Sequence, residues 1–126
     1  MVGYALTALC DDDEVAELRA AVEPCGIVVS QAYTADEALR AVVTGRAQAI
    51  FVDATASHAR ELAAAVRQRN DAGWSSCPTL VHDPHHEPHD PALIAVADAF
   101  IAEPIDASRV VAALATRSAS TDGSAP

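Results

Sequence analysis

The chain contains no lysine. Its eight basic residues are all arginines, they face 18 acidic residues, and the formal net charge is −10. Proteins that bind a nucleic acid through its phosphate backbone need clustered positive charge, so we expect no nucleic acid partner. The same charge disfavours an anionic membrane surface. No apolar run approaches the roughly 18 residues of a membrane-spanning helix, and we expect no membrane contact.

Cysteine and aromatic residues are also scarce. Cys10, Cys25 and Cys77 are odd in number and form no C-x-x-C motif, which argues against a disulfide framework or a zinc ribbon. No signal-peptide pattern opens the sequence, so we expect a cytoplasmic domain with reduced thiols in its interior. Aromatic residues make up 4% of the chain whereas alanine supplies 29 residues, which predicts a thin core of modest stability.

The 126 residues suffice for one domain with a single core. Strand-like apolar runs alternate five times with helix-like segments, which predicts an α/β fold of (βα)₅ type with a doubly wound parallel sheet. The common strand order for such a sheet is 2-1-3-4-5. We predict that the domain spans residues 1–117. Residues 118–126 lack periodicity and have linker composition, which predicts a disordered tail or a linker.

Acidic residues follow two of the predicted strands. Asp11–Asp13 come after the first strand, and Asp53 ends the third, which is apolar on both faces. These strands are neighbours in the expected order, so their carboxylates converge at the carboxyl edge of the sheet. Oxygen ligands in this number suit Mg²⁺. For Asp11–Asp13 alone, capping of the following helix is the alternative, whereas Asp53 caps nothing obvious.

Three motifs resemble the receiver domain of two-component response regulators over about residues 4–115. They are the acidic cluster after the first strand, the strand AIFVD that ends in Asp53, and VADAFIAEPID at 96–106, which is similar to the family signature GADDYLTKPFD. The resemblance implies a flavodoxin-like fold, phosphotransfer from a histidine kinase to Asp53, and Mg²⁺ held by an acidic pair together with Asp53. Helix register allows Cys10 and Asp11 as this pair; we predict Asp11 and Asp12.

The sequence departs from the family at two positions of the site. The family lysine is replaced by Glu103, and the family serine or threonine after the fourth strand falls on His82 or Asp83. A glutamate about 5 Å from an acyl phosphate would oppose it by roughly 3 kcal/mol at an effective dielectric constant near 20. We therefore predict an atypical receiver domain in which phosphorylation of Asp53 is weak or absent.

The resemblance implies a signalling module rather than an enzyme. It would contact a histidine kinase or an output domain and form a homodimer through the fourth helix, fifth strand and fifth helix, where residues 110–113 are apolar. A second resemblance, over segments 65–71, 77–85 and 96–103, is to the receiver-like wing domain of bacterial basic-amino-acid decarboxylases. That domain builds an oligomer and binds no phosphate. A small metal-dependent phosphatase fits less well, because no cationic residue is placed to bind a substrate phosphate.

Two further features of the sequence each allow more than one interpretation. The segment from His82 to Asp90 holds four of the five histidines. It is either a site for Zn²⁺, Ni²⁺ or Cu²⁺ or a pH sensor, or else a flexible polar loop in which prolines prevent a helix from aligning the imidazoles. Trp74 is either an exposed contact for a partner or a lid over the edge of the third helix.

Overall fold

A computed structural model describes residues 4–83, 91–102 and 104–123, with side chains as far as residue 115. Its five strands form one parallel sheet in the order 2-1-3-4-5, which confirms the predicted fold class and topology. The strands are β1 (Tyr4–Leu9), β2 (Ile27–Ala32), β3 (Ala49–Asp53), β4 (Thr79–His82) and β5 (Ala99–Ile101).

Five α-helices connect and flank these strands: α1 (Asp12–Val22), α2 (Ala35–Val43), α3 (Ala59–Asp71), α4 (Pro91–Val96) and α5 (Ala107–Gly123). Helix α1 begins where the Asp11 carboxylate accepts the Glu14 N–H at 2.8 Å. A capping box opens α2, because Thr34 Oγ1 accepts the Glu37 N–H at 3.1 Å. The Glu37 carboxylate returns to the N–H of Tyr33. Acidic residues cluster in the first turns of these helices because carboxylates there accept backbone N–H groups and interact favourably with the positive end of the helix dipole.

The core has a layer on each face of the sheet. Helices α1 and α5 cover one face, and the alternating side chains Leu6, Phe51 and Leu80 point towards them. Helices α2 and α3 cover the opposite face, towards which Ile50 and Val52 point. Because both faces are covered, β3 is buried along its whole length. The direction of each side chain in β3 and β4 therefore decides which helix it meets.

Several expectations for single residues are corrected or stay predictions. His82 is the fully buried last residue of β4 and not part of the following loop. Among the cysteines, Cys77 is buried as expected, but Cys25 is exposed because it ends the short 3₁₀ turn after α1. Residues 84–90, with the other histidines of that loop, and Glu103 lie outside the described residues.

The last helix is longer than expected. It continues through Gly123 and so includes six of the residues that the sequence assigns to a tail, 118–123. The end of the domain at residue 117 stays a prediction. In the part of the chain that the structure describes, no helix has the length and apolarity needed to cross a bilayer.

The packing of α1 on the sheet generates a test of the core. Leu18 is fully buried in the layer between α1 and the sheet. We expect Leu18→Ala to lower the free energy of unfolding by about 2–5 kcal/mol, because it removes buried methyl groups and leaves a cavity. Val43→Ala, at a side chain that is 51% exposed, should change it by less than about 0.5 kcal/mol. Urea denaturation measures both, and equal effects of the two substitutions would show that α1 does not pack as described.

Candidate functional site

The carboxyl ends of β3 and β4 lie side by side, and each ends in a polar residue. Asp53 and His82 are register partners in this parallel pair. Since side chains alternate along a strand, Asp53 lies on the same face as Phe51, and His82 on the same face as Leu80. Helix α1 covers this face, and its first turn carries Glu14. The fold thus brings Glu14, Asp53 and His82 together from three separate elements.

His82 is held on two sides. Its Nδ1 lies 2.8 Å from Oε2 of Glu14, and the side chains of the two residues are 0% and 15% exposed. Because a carboxylate oxygen accepts, Nδ1 is the donor. The imidazole also stacks on the Phe51 ring, with centroids 5.6 Å apart and an interplanar angle of 24°. These contacts set both the plane and the tautomer of the ring.

Asp53 is nearly buried, at 6% exposure, yet its environment favours the carboxylate. Burial raises the pKa of Asp53. Hydrogen bonds from the Glu14 side chain and from the N–H and Oγ1 of Thr55, together with a smaller electrostatic effect of His82, outweigh the effect of burial and lower the pKa of Asp53 below its ordinary value. Both Thr55 bonds go to Oδ1 and are 2.7 Å long. A hydrogen bond between two carboxyl groups requires a proton, which Glu14 and Asp53 therefore share.

A cavity of about 550 Å³ opens beside Asp53. Asp11 and Asp12 line it together with Asp53, as the sequence predicts. Their carboxylates have other partners, however, because Asp11 caps α1 and Asp12 accepts from Nε2 of Gln31 at 2.9 Å. The convergence of the acidic side chains on one cavity therefore holds. The assignment of Asp11 and Asp12 as Mg²⁺ ligands stays a prediction.

Cys10 also lines this cavity, at the position that helix register gives to the first acid of the family pair. Burial raises the pKa of the Cys10 thiol to about 12, and the charges of Glu14, Asp11 and Asp53 add to this effect. A thiol of such high pKa is not a reactive nucleophile at neutral pH. Cys10 therefore contributes neither a carboxylate nor a thiolate to the cavity.

Trp74 lies away from the cavity, in the segment between α3 and β4. The side chain is 72% exposed, and the guanidinium carbon of Arg69, on α3, lies 5.5 Å from its ring centroid. This contact agrees with the expected position over the edge of α3, while the exposed remainder of the ring leaves the partner interpretation open.

Sequence reasoning missed Glu14 and Thr55. The signal for Glu14 was present, because Glu14, Leu18 and Val22 repeat every four residues and therefore share one face of α1. A residue on the buried stripe of a helix, one turn before its first leucine, faces the sheet. Thr55 had a weaker signal: an aspartate commonly accepts from the backbone two residues later.

Comparison with known proteins identifies the fold. No protein-family model matches the sequence, and no curated protein matches it. Solved structures do match. NtrX from Brucella abortus superposes with a TM-score of 0.78 at 20% identity, over 98% of this chain and 29% of that one. A response regulator from Chloroflexus aurantiacus gives 0.70 at 25% identity, over 89% of this chain and 98% of that one. The chain has the fold of a response-regulator receiver domain.

Other receiver neighbours agree with this assignment. The N-terminal domain of a response regulator from Carboxydothermus hydrogenoformans superposes with a TM-score of 0.75 at 16% identity, over 98% of this chain and 99% of that chain. The present chain therefore spans the whole of some receiver structures, but less than a third of the length of NtrX. The resemblance to the wing domain of decarboxylases is not tested by these comparisons and stays a hypothesis.

The hydrogen bonds on Asp53 predict the effect of one substitution. Thr55→Val removes the Oγ1 donor but keeps the backbone N–H, so the pKa of Asp53 should rise towards its ordinary value. A lowered pKa contributes stability above the pKa of the unfolded chain, about 4, and this contribution disappears as the pH falls through the folded value. The variant should therefore lose about 1 kcal/mol at pH 7 and less in acid. Carbon-13 NMR titration of the carboxylate measures the shift.

Ser57→Ala provides the control, since Ser57 lines the same cavity and contributes none of the effects that lower the pKa of Asp53. A pKa of Asp53 that stays the same in Thr55→Val, or that rises equally in Ser57→Ala, would contradict the role given to Thr55.

Proposed function

We propose that this chain is an atypical receiver domain in which Asp53 occupies the phosphoacceptor position, accepts phosphate weakly or not at all, and signals through contacts with other proteins. The observation that carries the proposal is the hydrogen-bonded trio of Glu14, Asp53 and His82. In this trio the side chain at the phosphoacceptor position already has its partners within the protein.

Charge around Asp53 supports weak phosphorylation. A phosphoryl group on this carboxylate would bring close to two negative charges into a cavity lined by Asp11 and Asp12, and no arginine is among the described residues that line it. The chain has no lysine, and Glu103 stands at the family lysine position by sequence. The one basic group that affects Asp53 in the described part of the site is His82, which is bonded to Glu14.

The trio also ties the end of β4 to α1. Here Nδ1 of His82 bonds to Glu14, and the carbonyl oxygen of His82 accepts the N–H of Ala54, the residue after Asp53, at 2.9 Å. Leaving a buried hydrogen-bonding group without its partner costs about 1–3 kcal/mol. A single arrangement of β4 is therefore favoured, which suits a domain that acts as a constant binding partner.

A surface for such partners lies at the β5 edge of the sheet and includes residues of α4, β5 and α5. Ile94 on α4 is 47% exposed, and Phe100 on β5 is 37% exposed. Val111 and Ala113 of α5 are partly buried against the core. Exposed apolar side chains on neighbouring elements favour protein contact. We propose that this surface binds a second copy of the chain or an output domain, and that a histidine kinase, where one takes part, acts at the Asp53 end.

Phosphorylation tests this proposal directly. The chain is incubated with Mg²⁺ and a large excess of acetyl phosphate, and its intact mass is measured. We expect at most a small fraction to gain one phosphoryl group, because the described residues that line the cavity include no lysine or arginine to balance the added charge. Stoichiometric modification that disappears in Asp53→Asn would contradict the proposal.

A gain-of-function variant makes the same test informative in the other direction. Cys10→Asp combined with Glu103→Lys restores the two charges that the family has at these positions. Removing a repulsion of roughly 3 kcal/mol should raise the equilibrium extent of phosphorylation by up to about a hundredfold. The matched control is the same variant with Asp53→Asn, which should gain no phosphoryl group.

The apolar edge generates a separate prediction. If α4, β5 and α5 form a homodimer surface, Ile94→Ser with Phe100→Ser should convert the dimer to a monomer in sedimentation velocity experiments. Tyr33→Ser is the control, since Tyr33 is 73% exposed and follows β2, the opposite edge strand. A wild type that sediments as a monomer at every concentration, or a dimer lost only in Tyr33→Ser, would exclude this surface.

A further inference from the structure

The buried trio has a composition that is unusual for an acidic pocket. Among the described residues, Glu14, Asp53 and His82 form the one group in which three metal-binding atoms lie within 4.8 Å of one another. Two members are carboxylates, and the third is an imidazole with no exposed surface. We propose that these three side chains bind one first-row transition-metal dication that accepts imidazole ligands, such as Zn²⁺, in preference to Mg²⁺.

The spacing of the donors suits a small ion. Nδ1 of His82 and Oε2 of Glu14 are 2.8 Å apart. Two ligands that bind one ion at about 2.0–2.1 Å, with an angle between roughly 90° and 110°, are about 2.8–3.4 Å apart. The pair therefore needs little movement to share an ion. Asp53 would supply the third ligand and lines the cavity of about 550 Å³, from which water can complete the coordination.

The ligands are held in place before any ion binds. Stacking on Phe51 holds the imidazole plane. The two bonds from Thr55 hold Oδ1 of Asp53. Supporting contacts of this kind orient metal ligands and strengthen binding. The three ligands come from two adjacent strand ends and one helix, which are rigid parts of the fold.

Charge balance and ligand type select the class of ion. Two carboxylates and a neutral imidazole neutralise one dication. When the ion binds, the protons held between the two carboxyl groups and on Nδ1 are released, and the imidazole that coordinates through Nδ1 is neutral with its one proton on Nε2. Imidazole is a good ligand for Zn²⁺ and its neighbours in the periodic table, whereas Mg²⁺ prefers oxygen ligands and keeps several waters. A nearly buried site with a histidine therefore favours the transition ion.

Calorimetric titration of the metal-free full chain with Zn²⁺, and in parallel with Mg²⁺, tests the site without any phosphoryl donor. This test does not depend on the proposed signalling function, and its failure would leave the phosphorylation result unaffected. We expect one Zn²⁺ per chain, with Mg²⁺ binding at least about a hundredfold more weakly. Absence of Zn²⁺ binding, or equal affinity for Mg²⁺, would overturn the proposal.

Variants locate the ion. Glu14→Gln keeps the shape and hydrogen bonds of the side chain but loses its charge, and it should weaken Zn²⁺ binding about a hundredfold or more. Thr55→Val, which disturbs only the support of Asp53, should weaken it about tenfold. Asp12→Asn should leave the affinity within about twofold, since Asp12 is exposed and bonded to Gln31. Circular dichroism confirms that each variant is folded.

The histidines outside the described residues need their own control. His85→Gln, His86→Gln and His89→Gln are combined in one variant, which should bind Zn²⁺ with the wild-type affinity. A loss of binding in this variant would assign the ion to the loop. Unchanged binding in Glu14→Gln would refute a site at Glu14, Asp53 and His82. The absorption spectrum of bound Co²⁺ gives a second readout, which should change in His82→Gln and stay the same in His58→Gln.

Discussion

The structure around Asp53 depends on a hydrogen-bonded chain from His82 through Glu14 to Asp53. Two neighbouring carboxylates about 4 Å apart would repel by about 4 kcal/mol at an effective dielectric constant of 20. A proton shared between Glu14 and Asp53 removes most of that cost, and the imidazole supplies a donor to Glu14 on the other side. These hydrogen bonds stabilise the acidic side chains at the carboxyl edge of the sheet. In a typical receiver domain a lysine and a bound cation do so.

The hydrogen bonds among His82, Glu14 and Asp53 give a common explanation for the positions at which the sequence departs from the family. A chain without lysine, with Glu103 at the family lysine position, has lost the positive charge that balances a phosphoryl group in the family it resembles. The basic group that acts on Asp53, His82, lies beneath the site and not at its mouth, since it is fully buried. A buried imidazole can balance a buried carboxyl group or share a metal ion with it, but it does not reach a phosphoryl group in the cavity. Both proposals therefore have the same structural origin.

Most of the fold could be predicted from the sequence, because it depends on local patterns. Alternating apolar runs define the strands, and the caps at Asp11 and Thr34 mark the starts of two helices. Asp53 could be predicted as a site residue because it follows a strand that is buried on both faces. The partnership of Glu14 with His82 could not, since it joins residues 68 positions apart and depends on which face of β4 meets α1.

The central claim is that Glu14 bonds to the His82 ring in solution, and nitrogen-15 NMR of the imidazole tests it most directly. The account predicts a proton on Nδ1 that exchanges slowly with water, because the ring is fully buried, and that becomes fast in Glu14→Ala. A ring whose Nδ1 carries no proton in the metal-free chain, or whose Nδ1 proton exchanges equally fast in both proteins, would contradict the account.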